Sequence, residues 1–335
     1  MKLLRRYIRG LKRRCIYAWQ NIAGTYLLNR LLKRHAGEAR IVTYHGICIK
    51  QHTKFNGIFL KNSTFESHLK FYQKNFNVIS LDDYYKGNFH PLKFNICVTF
   101  DDGFSNNHKY VLPLLKKYQI PAAFFITAIR EAGGNILWND YLGIFSKYGP
   151  KKLMYENVLF DKNKQGRYIS AINGANLPEI IRSGAYDLKT EMIKTLSLIY
   201  DPRQNIQEED FWLQMDETQI KELASSTYCT IGTHGYYHND LAKIPLEKAA
   251  KEMIDSKRYL EKITGSTITA IAFPYGTYTN DVVEEAKKAG YTQLLALHYH
   301  YPENYTDNMM RERLIVNPYI SVINQMHATI KGRYE

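Results

Sequence analysis

From residue 41 onward the apolar positions fall into short blocks of two kinds. Ile41-Val42-Thr43-Tyr44, Val78-Ile79-Ser80-Leu81, 94–100, 122–127, 229–232, 268–273 and 293–297 are brief β-prone runs. Residues 63–76, 110–118, 218–225, 246–264 and 280–289 instead carry helical spacing. In the first of these Phe65, Leu69 and Tyr72 share a face behind a Ser63 or Thr64 cap. Gly265 and Gly290 are the natural stops of the last two. Phe94–Phe100 is almost continuously apolar, as in a strand covered on both faces. Repeated strand–helix units predict a parallel sheet, open or closed into a barrel. The rhythm lapses between residues 130 and 215, which begin near Gly133-Gly134 and carry helical stretches near 177–182 and 187–200. This block is expected to be an insertion on one connection. Residues 41–129 and 216–328 make a unit of about 200 residues, the size of a barrel.

Charge changes the picture only at the N-terminus. Residues 1–40 hold eleven Lys or Arg and one acid, Glu38, and so carry +10 of the chain's net +13. The body is near neutral, which argues against a nucleic-acid partner. In the leader Leu3, Leu4, Tyr7, Ile8, Leu11, Cys15, Ile16 and Trp19 recur at helical spacing between the cations. That is the pattern of a basic amphipathic helix, which suits an anionic membrane surface through residues 1–34. The plainer alternative is a helix that packs on the body and exposes its basic face. A secretory signal fits less well, because Gln20, Asn21, Thr25 and Asn29 interrupt the uncharged stretch. The expected location is the cytoplasm or the inner face of the cell membrane, with a secreted or anchored form as the alternative. The four cysteines include no C-x-x-C pair. They are read as reduced thiols rather than as a zinc site or two disulfides.

Three constellations follow predicted strands, where parallel α/β folds build their sites. The first is Thr99-Phe100-Asp101-Asp102-Gly103. Adjacent carboxylates point in different directions, so one can bind a metal while the other serves as a base; a helix cap with a turn glycine is the simpler alternative. The second is His234-Gly235-Tyr236-Tyr237-His238, two imidazoles four apart that can converge on one cation. The third is Phe273-Pro274-Tyr275-Gly276, a rigid turn whose Tyr275 could offer a backbone N–H to an oxyanion or a ring to a sugar. By itself this last element reads as an ordinary turn. Together Asp102, His234 and His238 make a two-histidine, one-carboxylate set with Asp101 beside it. Such a set suits metal-assisted hydrolysis of an amide or ester.

These motifs resemble the polysaccharide deacetylases, the carbohydrate esterases that act on chitin, peptidoglycan and exopolysaccharides. The family's T-F-D-D-G stands unaltered at Thr99–Gly103, its H-[ST]-x-x-H appears at His234–His238 with Gly235 for Ser or Thr, and its R-x-P-[YF]-G appears at Ala272–Gly276. Ile120-Pro121-Ala122-Ala123-Phe124-Phe125 resembles the family's entry into the next strand. The resemblance implies an irregular, incomplete (β/α)7-type barrel, here with an N-terminal basic amphipathic helix as residues 1–40 and a helical and loop insertion at 130–215 of a domain spanning 41–328. It implies Asp101 as general base and Asp102, His234 and His238 as metal ligands. Zinc is the first choice of metal, with cobalt, nickel or manganese as alternatives. It further implies that Tyr275 supplies an oxyanion N–H.

Two positions depart from the family pattern. Ala272 stands where an arginine commonly orients the catalytic aspartate, which puts the tuning of Asp101 in question. The histidine that serves as general acid has only a near match in Leu295-Ala296-Leu297-His298, so His298, His300 and His327 are candidates, His298 first. Tyr44-His45-Gly46-Ile47 resembles an element of the exopolysaccharide branch and puts His45 at the same mouth, for substrate or proton donation, or simply as a core histidine. The expected reaction removes acetyl, first of all N-acetyl, from an acetylated glycan of the cell envelope or its lipid-linked precursor. An O-acetyl or small-amide hydrolase and an inactive glycan-binding barrel are the rivals.

Overall fold

A computed structural model describes residues 2–334; the side chains of residues 2–9 and of Thr25 lie outside the described residues, and with them the expected apolar positions Leu3, Leu4, Tyr7 and Ile8. Seven parallel strands form the centre: β1 (Ala39–Tyr44), β2 (Asn95–Phe100), β3 (Ala122–Ile126), β4 (Cys229–Thr233), β5 (Ala270–Ala272), β6 (Gln293–Ala296) and β7 (Met310–Ile315). Each pairs with the next in chain order. β7 then pairs with β1, Ile41 opposite Arg313. The ring is therefore closed, a seven-stranded barrel of the (β/α)7 type that the resemblance implied. β1 closes it by pairing with β2 along its whole length, Ala39 opposite Asn95 to Tyr44 opposite Phe100. A short strand, Asn77–Val78, adds to the outside of β2.

Strand alternation divides the side chains into two sets. Ile41, Cys97, Ala123, Phe125, Ala270, Ala272 and Leu295 make one buried cluster, inside the ring. Val42, Tyr44, Ile96, Val98, Phe100, Phe124, Ile231, Ile271 and Leu294 make the other, which the surrounding helices cover. These helices are α1 (Lys2–Arg34), α2 (Asn62–Asn75), α3 (Leu112–Tyr118), then α7 (Glu217–Ala224), α8 (Leu246–Thr264), α9 (Asn280–Lys288) and α10 (Val322–Lys331). An Asp216–Gln219 capping box starts α7, and left-handed Gly265 ends α8 as the sequence suggested.

Between β3 and β4 the chain builds a second core. It comprises α4 (Trp138–Tyr148), a three-stranded antiparallel sheet, α5 (Leu177–Arg182) and α6 (Tyr186–Ser197). Trp138, Tyr141, Phe145, Phe160, Tyr168, Met192, Leu196 and Trp212 pack together, with Tyr275 of the barrel against them. The chain enters and leaves this unit side by side, Gln214 N donating to Asn135 O at 3.0 Å. None of the four cysteines is disulfide-bonded; Cys48 and Cys97 are buried and Cys15 is exposed.

Candidate active site

Asp101 and Asp102 stand at the end of β2, both 3% exposed. Asp102 (φ 75°) and Gly103 (φ 80°) turn the chain sharply, so the two carboxylates diverge. The end of β4 supplies His234 and, four residues on, His238 (φ 56°); the end of β5 supplies Tyr275 (φ 62°). Three of the seven non-glycine residues with positive φ among those described are thus here. Left-handed backbone at such residues costs on the order of 1 kcal/mol each, and it gathers where geometry is being enforced.

Asp102 Oδ1 lies 3.3 Å from His234 Nε2 and 3.2 Å from His238 Nε2. The three groups are buried, and their ligand atoms lie within 4.8 Å of one another. His234 Nδ1 is 2.7 Å from the Ala272 carbonyl, which only accepts, so Nδ1 carries the hydrogen and Nε2 presents its lone pair. His238 Nδ1 sits 3.2 Å from the Tyr275 hydroxyl. Burial lowers the pKa of both rings; Asp101 and Asp102 together outweigh it at His234, whose pKa rises, whereas at His238 Asp102 does not outweigh it and the pKa stays depressed. A carboxylate and two imidazoles aimed at one point fit a tetrahedral cation with an open position.

Asp101 faces the other way. Its two oxygens accept from both terminal nitrogens of Arg313, at 2.6 and 2.8 Å, and the arginine side chain is fully buried. Burial would raise the Asp101 pKa, but Arg313, His234 and His45 together bring it below the ordinary carboxylate value. Arg313 comes from β7, inside the ring, with its guanidinium 5.4 Å from the Phe125 ring. The small side chains of Ala123, Ala270 and Ala272 leave it room there. The arginine absent at position 272 is therefore replaced across the barrel.

The mouth is a cavity of about 310 Å³ whose lining includes His45, Asp101, Asp102, His234, His238 and Tyr275. His45 is nearly buried, and its Nδ1 has no hydrogen-bond partner. His298 is not brought to the cavity. Leu295 faces the ring interior and Leu297 lines the mouth, so alternation turns His298 to solvent. His300 is also exposed and stacks on Tyr278, while His327 lies on α10 in a groove shared with α1.

The second core adds residues that the motifs did not point to. Arg182 of α5 lines the cavity, lies 4.1 Å from the Tyr275 ring centre and pairs with buried Asp240 at 2.7 Å. Trp138 Nε1 donates to the His238 carbonyl at 3.3 Å. Lys189 donates to Asn239, which donates to Glu252 of α8. Burial lowers the Lys189 pKa to about 8. Asp140 is buried beside Asn139 of the cavity wall; burial and the Asp102 charge push its pKa well up, and Asn56 donates to it at 3.0 Å.

The polysaccharide deacetylase family's sequence model matches residues 91–149 and 200–294, which take in α4 and Trp212 of the second core and leave out the stretch between them. Within those two segments the chain carries the polysaccharide deacetylase sequence pattern. The family's two metal-motif elements and its P-Y-G turn are the residues that meet at the mouth. In fold the chain resembles the Streptococcus pyogenes deacetylase PplD solved with acetate (17% identity, TM-score 0.56, covering 87% of this chain and 98% of that one). It also resembles IcaB from Ammonifex degensii (18%, 0.53, 88% and 97%) and a de-N-acetylase from Aggregatibacter actinomycetemcomitans (15%, 0.53, 88% and 98%). No curated protein matches the chain.

The P-Y-G turn tolerates no added carbon at Gly276. A Cβ there would lie 2.3 Å from Leu297 Cγ, on a backbone with φ 67°. Gly276→Ala is expected to cost about 2–3 kcal/mol in chemical denaturation and to displace Tyr275.

Proposed function

We propose that this protein is a deacetylase that removes the N-acetyl group from a sugar of a cell-envelope polysaccharide or its lipid-linked precursor, with metal assistance. The observation that carries the reading is the division of labour at the end of β2: Asp102 converges with two imidazoles while Asp101 stays apart on Arg313. Asp102, His234 and His238 would hold the metal. A divalent cation there, zinc first and cobalt, nickel or manganese as alternatives, would polarise the acetyl carbonyl and acidify a water. Asp101, kept anionic by Arg313, accepts the proton from the attacking water. The Tyr275 N–H faces the developing oxyanion. His45 is the imidazole of the mouth outside the metal set, and it protonates the leaving amine. At about 310 Å³ the cavity is at the small end for ligand pockets, which suits one acetamido sugar more than a packed oligomer.

Acetate release from an N-acetylglucosamine oligomer tests this directly. The metal-stripped protein should be inactive, zinc or cobalt should restore release, and His234→Ala should lose both metal and activity. Release that survives stripping or survives His234→Ala would overturn the reading. So would stoichiometric metal with glycan binding and no acetate from any acetylated glycan tried.

A further inference from the structure

Helix α1 breaks at Gly24 (φ 46°, ψ −129°), and its two halves differ in how they meet the body. In the second half Leu28 is buried in the main core, and Leu31 and Leu32 pack against it. The first half doubles back beside the second. Cys15, Ile16, Trp19 and Gln20 share one groove with Leu27 and Leu31, bordered by Arg30, Arg34 and Lys331. Gln20 is buried, and Ser321 donates to Asn21 Oδ1 at 2.6 Å, so this half is held at its C-terminal end by one side.

The adjoining face looks outward and is apolar, with Cys15 and Trp19 on the rim that it shares with the groove. At about 100° per residue, Leu11, Cys15, Ala18, Trp19 and Ile22 fall within an arc of about 100°. All five are exposed, with Trp19 at 61% and Ile22 at 80%. In the sequence Leu4 and Ile8 continue the same spacing. Exposed Lys12 and Arg14 border the stripe, and no acid precedes Glu38.

An exposed apolar stripe flanked by cations asks for a partner with an apolar layer beneath an anionic surface. A second copy of this chain would set two +10 segments side by side. A nucleic acid would leave the stripe in water. No helix among the described residues is long and apolar enough to cross a membrane. We propose that the first half of α1 lies in the surface of an anionic phospholipid bilayer, Trp19 and Ile22 immersed and Lys12 and Arg14 at the headgroups. The inference concerns α1 alone and does not depend on the reaction at the mouth.

The full chain provides its own probe. Trp138 and Trp212 are each 5% exposed, so a change in tryptophan emission on adding vesicles reports Trp19. With vesicles of phosphatidylcholine containing about 30% phosphatidylglycerol, the emission should shift to the blue and the protein should sediment with the lipid. Phosphatidylcholine alone should do neither. Lys12→Glu/Arg14→Glu and, independently, Trp19→Ser/Ile22→Ser should each lower partitioning about tenfold or more, with acetate release from a soluble substrate unchanged. Failure of the parent protein to bind anionic vesicles would overturn the proposal. Equal binding by both variants would do the same. A dimer in light scattering that shields Trp19 without lipid would assign the stripe to a second copy instead.

Discussion

Asp101→Asn is expected to lower kcat by about 10²–10⁴-fold while the protein keeps one equivalent of metal. Asparagine has the right shape but cannot hold a proton taken from water, and the Asp102, His234 and His238 set is left unaltered. The substitution also turns an amide N–H₂ toward Arg313, whose fully buried guanidinium loses its countercharge. Breaking one side of a buried pair costs on the order of 3–5 kcal/mol. The control is therefore Asp101→Asn/Arg313→Met, which removes both charges. It should recover much of the stability in denaturant titration and none of the turnover. If the single variant kept full activity at one equivalent of metal, Asp101 would not be the base.

Arg313→Met is expected to produce the second large effect. It leaves Asp101 charged, buried and unpaired, which should destabilise the fold by about 3–5 kcal/mol. It should also cut kcat/KM by at least about tenfold at neutral pH. The sign of the pH effect follows from the geometry. Burial raises the Asp101 pKa, and Arg313 is first among the groups that reverse this, so its loss lets the pKa rise. A base works above its pKa, so the acid limb of the kcat/KM profile should move to higher pH in the variant. Stability follows the same linkage. A carboxylate depressed in the native state contributes fully above its unfolded pKa of about 4, and that contribution is lost as the pH falls through the native value. Denaturant titrations of the parent and variant should therefore converge in acid. A purely structural Arg313 would change stability and leave the acid limb where it is.

The barrel strands and the three motif turns were legible in the sequence because each obeys a local rule: apolar runs, helical spacing, and acids or histidines placed directly after a strand. β7 was not. Met310-Arg311-Glu312-Arg313-Leu314-Ile315 carries three charges in six residues and reads as a solvated segment. Only the closed ring shows that Arg313 points inward, and only the three-dimensional pairing makes good the arginine missing at Ala272. His298 failed by parity: with Leu295 and Leu297 turned to the barrel interior and mouth, the next residue turns to solvent. Trp138, Arg182 and Lys189 were out of reach for a different reason. Their partners, His238, Asp240 and Asn239, lie roughly 50 to 100 residues away in the chain.

Those long-range contacts tie the second core to the mouth of the barrel. The block between β3 and β4 enters and leaves through one narrow neck and has its own core, so it has the outline of an exchangeable module. Yet its tryptophan grips the backbone of one metal-set histidine, and its lysine and arginine hold the two residues that follow. A graft that replaced this roof, without restoring equivalents of these three side chains, would slacken the segment that carries His238 along with the cavity wall. The shape of the cavity wall and the placement of residues 238–240 are mechanically one trait in this chain.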